Sequence, residues 1–204
     1  MTKGEEILAQ RTALFFSGGK DSCFALHRLQ QQKIDVVCLM TTVWKDKDET
    51  VAHGEKLERI NDQAKRLGIP VQFIPVTFET YTEDVVKALS QLKAAYRLRG
   101  VAFGDIYLEG HREWGEQVAK DNGLTPYYPL WTDEEGAVRL LKEFVASGFK
   151  AEVIRVDESK LPKSWVGRLL DASFIDDIQH KDVCPMGESG EYHTFVYDGP
   201  IFRK

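Results

Sequence analysis

The apolar run Ala13-Leu14-Phe15-Phe16 leads straight into Ser17-Gly18-Gly19-Lys20-Asp21-Ser22, and few folds accommodate that junction. A short continuous apolar run reads as a strand covered on both faces, here delivering the chain to a turn. The paired glycines lack the Cβ atoms that would hold an anion away from the backbone amides. A helix beginning at Asp21 adds unpaired N–H groups and the positive end of its dipole. Ser17 and Ser22 supply hydroxyl donors and Lys20 a point charge, so the segment reads as a phosphate cradle. Its order is not that of a Walker A loop, G-x-x-x-x-G-K-[ST]. In isolation these six residues would be an ordinary polar turn; a strand before and a helix after give them their meaning.

Strand and helix patterns alternate through the first half. Phe24, Ala25, Leu26 and Leu29 give the first helix an apolar face, and a second strand is predicted over 34–40. The charged stretch 45–50 reads as a solvated loop. A helix over 56–67 closed by Gly68, a strand over 71–76, a helix over 83–98 ending at Gly100 and a short strand over 101–103 follow. Repeated β-α units imply a parallel sheet with right-handed crossovers, an α/β fold. Ligands of such sheets lie beyond the carboxyl ends of the strands, where residues 17–22 and Gly104-Asp105 both fall. The second half predicts helices over 112–122, 134–147 and 166–177 and strands over 124–128, 151–156 and 191–197. We expect a division into residues 1–125 and 126–204.

With 27 basic and 32 acidic residues in 204, the net charge of −5 argues against broad, charge-driven nucleic-acid binding. Cys23, Cys38 and Cys184 form no C-x-x-C pair, so neither a zinc knuckle nor a redox dithiol is expected. No apolar run approaches the length of a membrane span, and no signal peptide is visible. A cytoplasmic setting follows as the simplest expectation.

Three further clusters carry polar chemistry. Gly104-Asp105, continuing through Glu109, Arg112 and Glu116, either turns the chain or lets the backbone approach a nucleotide while its carboxylate holds a ribose or a cation. Residues 187–194 hold Glu188, Glu191, His193 and Thr194 among two glycines. Alternation along the closing strand would set Glu191 and His193 on one face, where a carboxylate and an imidazole can orient an amine or take its proton. A polar hairpin before an edge strand is the alternative. His53 lies in the loop after the second strand, where a histidine is commonly just exposed. His27 and His180 read as surface residues, and Trp44, Trp114, Trp131 and Trp165 as packing residues.

The S-G-G-x-D-S form resembles the pyrophosphate loop of N-type ATP pyrophosphatases. With AHGEKLERINDQAKRLGIP, FGDIYLEGHREWGE, PLW, VGRLLD and GESGEYHTFVYDGPIF, the chain is similar along nearly its whole length to the diphthine–ammonia ligase (diphthamide synthase) family. That resemblance implies a Rossmann-like ATP-binding domain of the adenine nucleotide α-hydrolase type and a smaller C-terminal α/β domain for the substrate. It implies that ATP adenylates a carboxylate, that ammonia displaces AMP, and that pyrophosphate is released. By the same analogy Ser17, Gly18, Gly19, Lys20, Asp21 and Ser22 hold the phosphates, and His53, Gly104 and Asp105 lie near nucleotide or substrate. Glu188, Glu191, His193 and Thr194 would line the acceptor side, with Asp21 and Asp105 as candidate Mg²⁺ ligands. Members often carry Cys-Gly-Glu-Asn-Gly-Glu where this chain reads Met186-Gly187-Glu188-Ser189-Gly190-Glu191.

The acceptor implied is diphthine, a modified histidine on an elongation factor, or a small metabolite such as a cobalamin-related acid. A tRNA-modifying adenylating enzyme is the rival among enzymes; it commonly adds cysteine pairs or basic RNA-binding regions. From another class, a nucleotide sensor would bind without turnover. The apolar strands and the Trp165 region, expected to be exposed, leave room for a homodimer.

Overall fold

The structure is a computed structural model and describes residues 11–203. Five strands form one parallel sheet: β1 (Thr12–Phe15), β2 (Val36–Trp44), β3 (Val71–Val76), β4 (Gly100–Ala102) and β5 (Thr125–Tyr127). Helices α1 (Lys20–Gln31), α2 (Leu57–Leu67), α3 (Tyr81–Tyr96) and α4 (Glu109–Asp121) connect them. The spatial order is β3-β2-β1-β4-β5, with Ala13 of β1 opposite Cys38 on one side and Val101 on the other. The winding reverses at β1, so the loops leaving β1 and β4 diverge and open a crevice there. This is the expected Rossmann-like α/β arrangement.

The chain then adds α5 (Gly136–Ala146), β6 (Lys150–Val156), a 3₁₀ turn (Lys163–Trp165), α6 (Ala172–Ile178) and β7 (Tyr192–Asp198). Strands β6 and β7 pair antiparallel in a separate two-stranded sheet. One buried cluster joins Leu14, Phe24 and Ile60 of the first half to Phe144, Phe174 and Tyr192 of the second. Another, with Val85, Leu89 and Val118, covers the opposite face of the parallel sheet. The C-terminal layer therefore shares its core with α1 and α2, which brings β7 against the loop after β1.

Four expectations need correction. Strand β2 runs four residues past 40, because 41–44 continue to pair with 73–76 of β3. Helix α3 ends not at a glycine but at Arg97, which takes the left-handed conformation itself (φ 54°). The helix expected over 166–177 exists only as α6. Gly167 N donates to Val153 O, and Val153 N donates to Arg168 O. Leu170 N donates to Ala151 O, so residues 167–170 line the edge of β6. The Asp171 carboxylate then accepts from Phe174 N and starts the helix, a cap that apolar spacing alone does not reveal. Trp165, expected to be exposed, is buried edge-on against Phe174 at 5.3 Å. No described helix is long and apolar enough to cross a membrane.

Candidate active site

The loop after β1 is clamped from two sides. Gln63, on the buried stripe of α2 with Ile60, Ala64 and Leu67, donates Nε2 to Gly18 O at 3.0 Å and to Val196 O at 2.5 Å. Val196 N in turn donates to Gly18 O at 3.0 Å. Gly18 has φ +78°, a conformation that a side chain disfavours, and a Cβ there would strike Gln63. Lys20 N donates to Thr194 Oγ1 at 3.0 Å. One helix and the last strand thus hold the loop at 17–22 in shape.

Above the loop lies a cavity of about 1040 Å³. Ser17, Lys20, Asp21, Ser22, His53, Gly104, Asp105, Glu188, His193 and Thr194 all line it. Its apolar wall comes from Phe15, Met40, Trp44, Tyr81, Phe103 and Trp114. Such a mixture of apolar wall and a few convergent polar groups is typical of a ligand site. The volume lies at the upper end for one bound molecule, leaving room for a nucleotide and a second substrate.

Lys20 is 2% exposed; its Nζ lies 2.9 Å from Asp21 Oδ2 and 4.9 Å from the centre of the Tyr192 ring. Burial raises the Asp21 carboxyl, and Asp105 adds to the effect while Lys20 opposes it. The backbone at Gly104 packs on the first turn of α1, where a Cβ would lie 3.2 Å from Asp21 C. This brings Asp105 to the helix start, where its Oδ1 lies 3.1 Å from His111 Nδ1. Glu188 Oε1 accepts from Ile106 N at 2.9 Å. Burial first, then Asp21 and Asp105, push Glu188 up to about 7. One ligand atom from each of Asp105, His111 and Glu188 falls within 4.8 Å of the others.

Across the loop, the His53 and His193 rings lie 4.8 Å apart with their planes tilted by 50°. His53 settles onto Gly19, where a Cβ would come within 2.5 Å of its Cε1. Burial is the main reason that His53 falls to about 3 and His193 to about 4; neighbouring Lys20 and Arg155 push the same way. An unfolded histidine titrates near 6.5. Below that pH the unfolded chain binds protons that the folded chain refuses until about pH 4, so unfolding gains as pH falls. The contribution is complete above pH 6.5 and declines through this window by up to about 1.4 kcal/mol per pH unit for each histidine. Urea unfolding at about pH 7.5 and pH 5 should register the loss, and the double variant His53→Asn/His193→Gln should flatten it. An undiminished slope in that variant would contradict the assignment.

Not every expected residue reaches the cavity. Glu191 precedes β7 rather than belonging to it, so alternation with His193 does not apply. Glu191 is 4% exposed and accepts from Ser189 N at 2.9 Å and Cys184 N at 3.3 Å. It fastens the 184–190 loop and is absent from the cavity wall. Glu109, Arg112 and Glu116 also stay outside, Arg112 pairing with Glu116 at 2.8 Å. Met186, at the position where the resemblance sets a cysteine, is fully buried in the core. In the other direction, Trp44 and Trp114 line the cavity rather than serving only as packing, and Gln63 and His111 complete the site. Gln63 was detectable as the one amide on an apolar helix stripe; His111 carried no comparable signal.

Family comparison bears on the same residues. The family model for the diphthamide synthase N-terminal domain matches residues 10–126. That for the diphthamide synthase C-terminal domain matches 136–204. The chain belongs to the diphthamide synthase family. It is 28% identical to the diphthine–ammonia ligase of Mus musculus over 95% of this chain and 81% of that protein. The Schizosaccharomyces pombe diphthine–ammonia ligase is 30% identical over 92% of this chain, which spans about a third (34%) of that longer protein. A tRNA-specific 2-thiouridylase of Flavobacterium johnsoniae is 37% identical over only 38% of this chain and 20% of that protein. Both halves of the cavity, the loop at 17–22 and the wall at 187–194, fall within the diphthamide synthase matches.

Proposed function

We propose that this chain is an ATP-dependent ligase that joins ammonia to a carboxylate through an acyl-adenylate, releasing AMP and pyrophosphate. The observation that carries this reading is a clamped phosphate loop sharing one cavity with a carboxylate corner, in a family whose relatives are named diphthine–ammonia ligases. Diphthine is accordingly the acceptor we assign. Residues 1–125 would bind ATP and residues 126–204 would close the acceptor end. ATP and ammonia are cytoplasmic substrates, and the reading sets the enzyme there.

An unactivated carboxylate is a poor electrophile, so the enzyme must first give it a leaving group. The apolar wall suits the adenine, while Ser17, Ser22 and the first turn of α1 hold phosphate oxygens through N–H and O–H donors. Lys20 lines the cavity, where its charge would oppose the negative charge that builds on phosphorus. The acceptor oxygen attacks the α phosphorus and the bond to the bridging oxygen breaks, its electron pair leaving with pyrophosphate. Ammonia then attacks the acyl carbon, AMP departs, and the nitrogen gives a proton to Glu188, whose carboxyl is tuned near neutrality for that transfer.

The donor set also fits Mg²⁺. Asp21 Oδ1 is shut from solvent with no hydrogen-bond partner among the described residues, and Asp21, Asp105 and Glu188 repel one another. Asp21 and Asp105 would hold the ion, which when bound neutralises phosphate charge.

The test supplies ¹⁵N-ammonium, ATP and magnesium with an elongation factor carrying diphthine. Transfer of ¹⁵N into the diphthine side chain supports the reading; ATP consumption without nitrogen transfer would rule out amidation of this acceptor.

A further inference from the structure

The polar groups of the cavity are segregated by charge. The charged neighbours that act on His53 are His193, Lys20 and Arg155, all of them basic. Those acting on His193 are Lys20 and Arg155. Glu188 instead faces Asp21 and Asp105, with Lys20 opposing them. Lys20 therefore stands between a basic corner and an acidic one.

Four elements build the basic corner. Lys20 comes from α1, His53 from the loop after β2, His193 from β7 and Arg155 from β6, where it is the register partner of His193. The Arg155 guanidinium lies against Gly54, the neighbour of His53. Of the acids on this loop, Glu55 faces Arg155 and pairs with Arg59 at 2.6 Å. A second observation points to a ligand: His53 Nδ1 is closed off from solvent with no hydrogen-bond partner among the described residues. Leaving such an atom unpaired is costly, and a bound acceptor group would remove the cost.

We propose that His53 and His193, backed by Lys20 and Arg155, form an anion subsite that holds the terminal phosphates of ATP and then the pyrophosphate product. The inference rests on the ATP-ligase reading and adds a direction to it. Pyrophosphate departs toward the basic corner while the acceptor oxygen approaches from the acidic one, so the bond that forms and the bond that breaks lie on opposite sides of the α phosphorus, on either side of Lys20. A polyanion beside the two imidazoles also counters the burial and the basic neighbours that keep them neutral, so its binding near pH 6 takes up protons.

Titration calorimetry near pH 6, in two buffers of different ionisation enthalpy, tests this with ATP, AMP and pyrophosphate, each with magnesium. Wild-type protein should take up protons with ATP and pyrophosphate and not with AMP. His53→Asn and His193→Gln should each weaken pyrophosphate about tenfold, the effect of one charge-assisted hydrogen bond, abolish part of the uptake and leave AMP affinity unchanged. Arg155→Gln, at an exposed position, should weaken pyrophosphate but not AMP, and it decides the matter if a histidine variant does not fold. Equal weakening of AMP and pyrophosphate, or pyrophosphate binding and proton uptake unchanged in the folded variants, would overturn the subsite alone. Wild-type protein that binds neither ATP nor AMP would overturn the ligase reading and the subsite with it.

Discussion

Gly18→Ala is expected to remove turnover almost completely and to lower folding stability by about 3 kcal/mol. Two costs combine. At φ +78°, an L side chain adds about 1–2 kcal/mol of backbone strain. The new Cβ also meets Gln63 Oε1 and lies 2.7 Å from Ile60 Cδ1, so the amide that ties Gly18 O to Val196 O must move. Displacing a buried amide whose Nε2 donates to both carbonyls adds about 1–3 kcal/mol. The catalytic loss exceeds what stability alone would produce, because the Gln63 bridge sets the loop against β7. A shift of about 1 Å in a positioning element can reduce rate roughly a hundredfold. Urea denaturation and nucleotide turnover on the folded fraction separate the two effects. Wild-type turnover in the folded variant would show that the clamp does not hold the reactive geometry.

Glu188→Gln should give the second large effect, a loss of turnover of roughly a hundredfold or more, with ATP affinity preserved. The amide keeps the shape and can still accept from Ile106 N, the bond that Glu188 Oε1 makes at 2.9 Å. What disappears is the proton acceptor. The wild-type carboxyl, raised to about 7 by burial and by Asp21 and Asp105, must be ionised to act as a base. At a fixed concentration of free ammonia, turnover should therefore rise with pH through the neutral range, and the variant should lack that limb. A variant with the same pH profile and a proportionate loss of ATP affinity would make Glu188 a binding group instead.

Much of this site could be read from the sequence because its parts obey local rules. A buried strand, two glycines and a helix start define the loop at 17–22 without reference to anything distant. The β-α alternation likewise fixes a parallel sheet, and its carboxyl ends bring Gly104-Asp105 beside Asp21. What escaped reading depends on long-range contact. Gln63 reaches Val196 across 133 positions in the chain, a bond to which no local pattern points. His53 read as an ambiguous loop residue, yet the fold presses it onto Gly19 and against His193. Glu191 failed for a different reason: the periodicity rule was extended one residue beyond the strand, where the chain turns and the carboxylate faces its own loop. The helix expected over 166–177 failed similarly, since residues 167–170 find backbone partners on β6 that outweigh local helical preference.

The proposed chemistry cuts ATP between its α and β phosphates to activate a carboxylate. Its most direct test is to resolve the nucleotide products of labelled ATP incubated with the protein, magnesium, ammonium and the diphthine-bearing acceptor. AMP and pyrophosphate are expected in equal amounts, formed only when the acceptor is present. ADP and orthophosphate would contradict it, because cleavage would then lie between the β and γ phosphates and no adenylate would form.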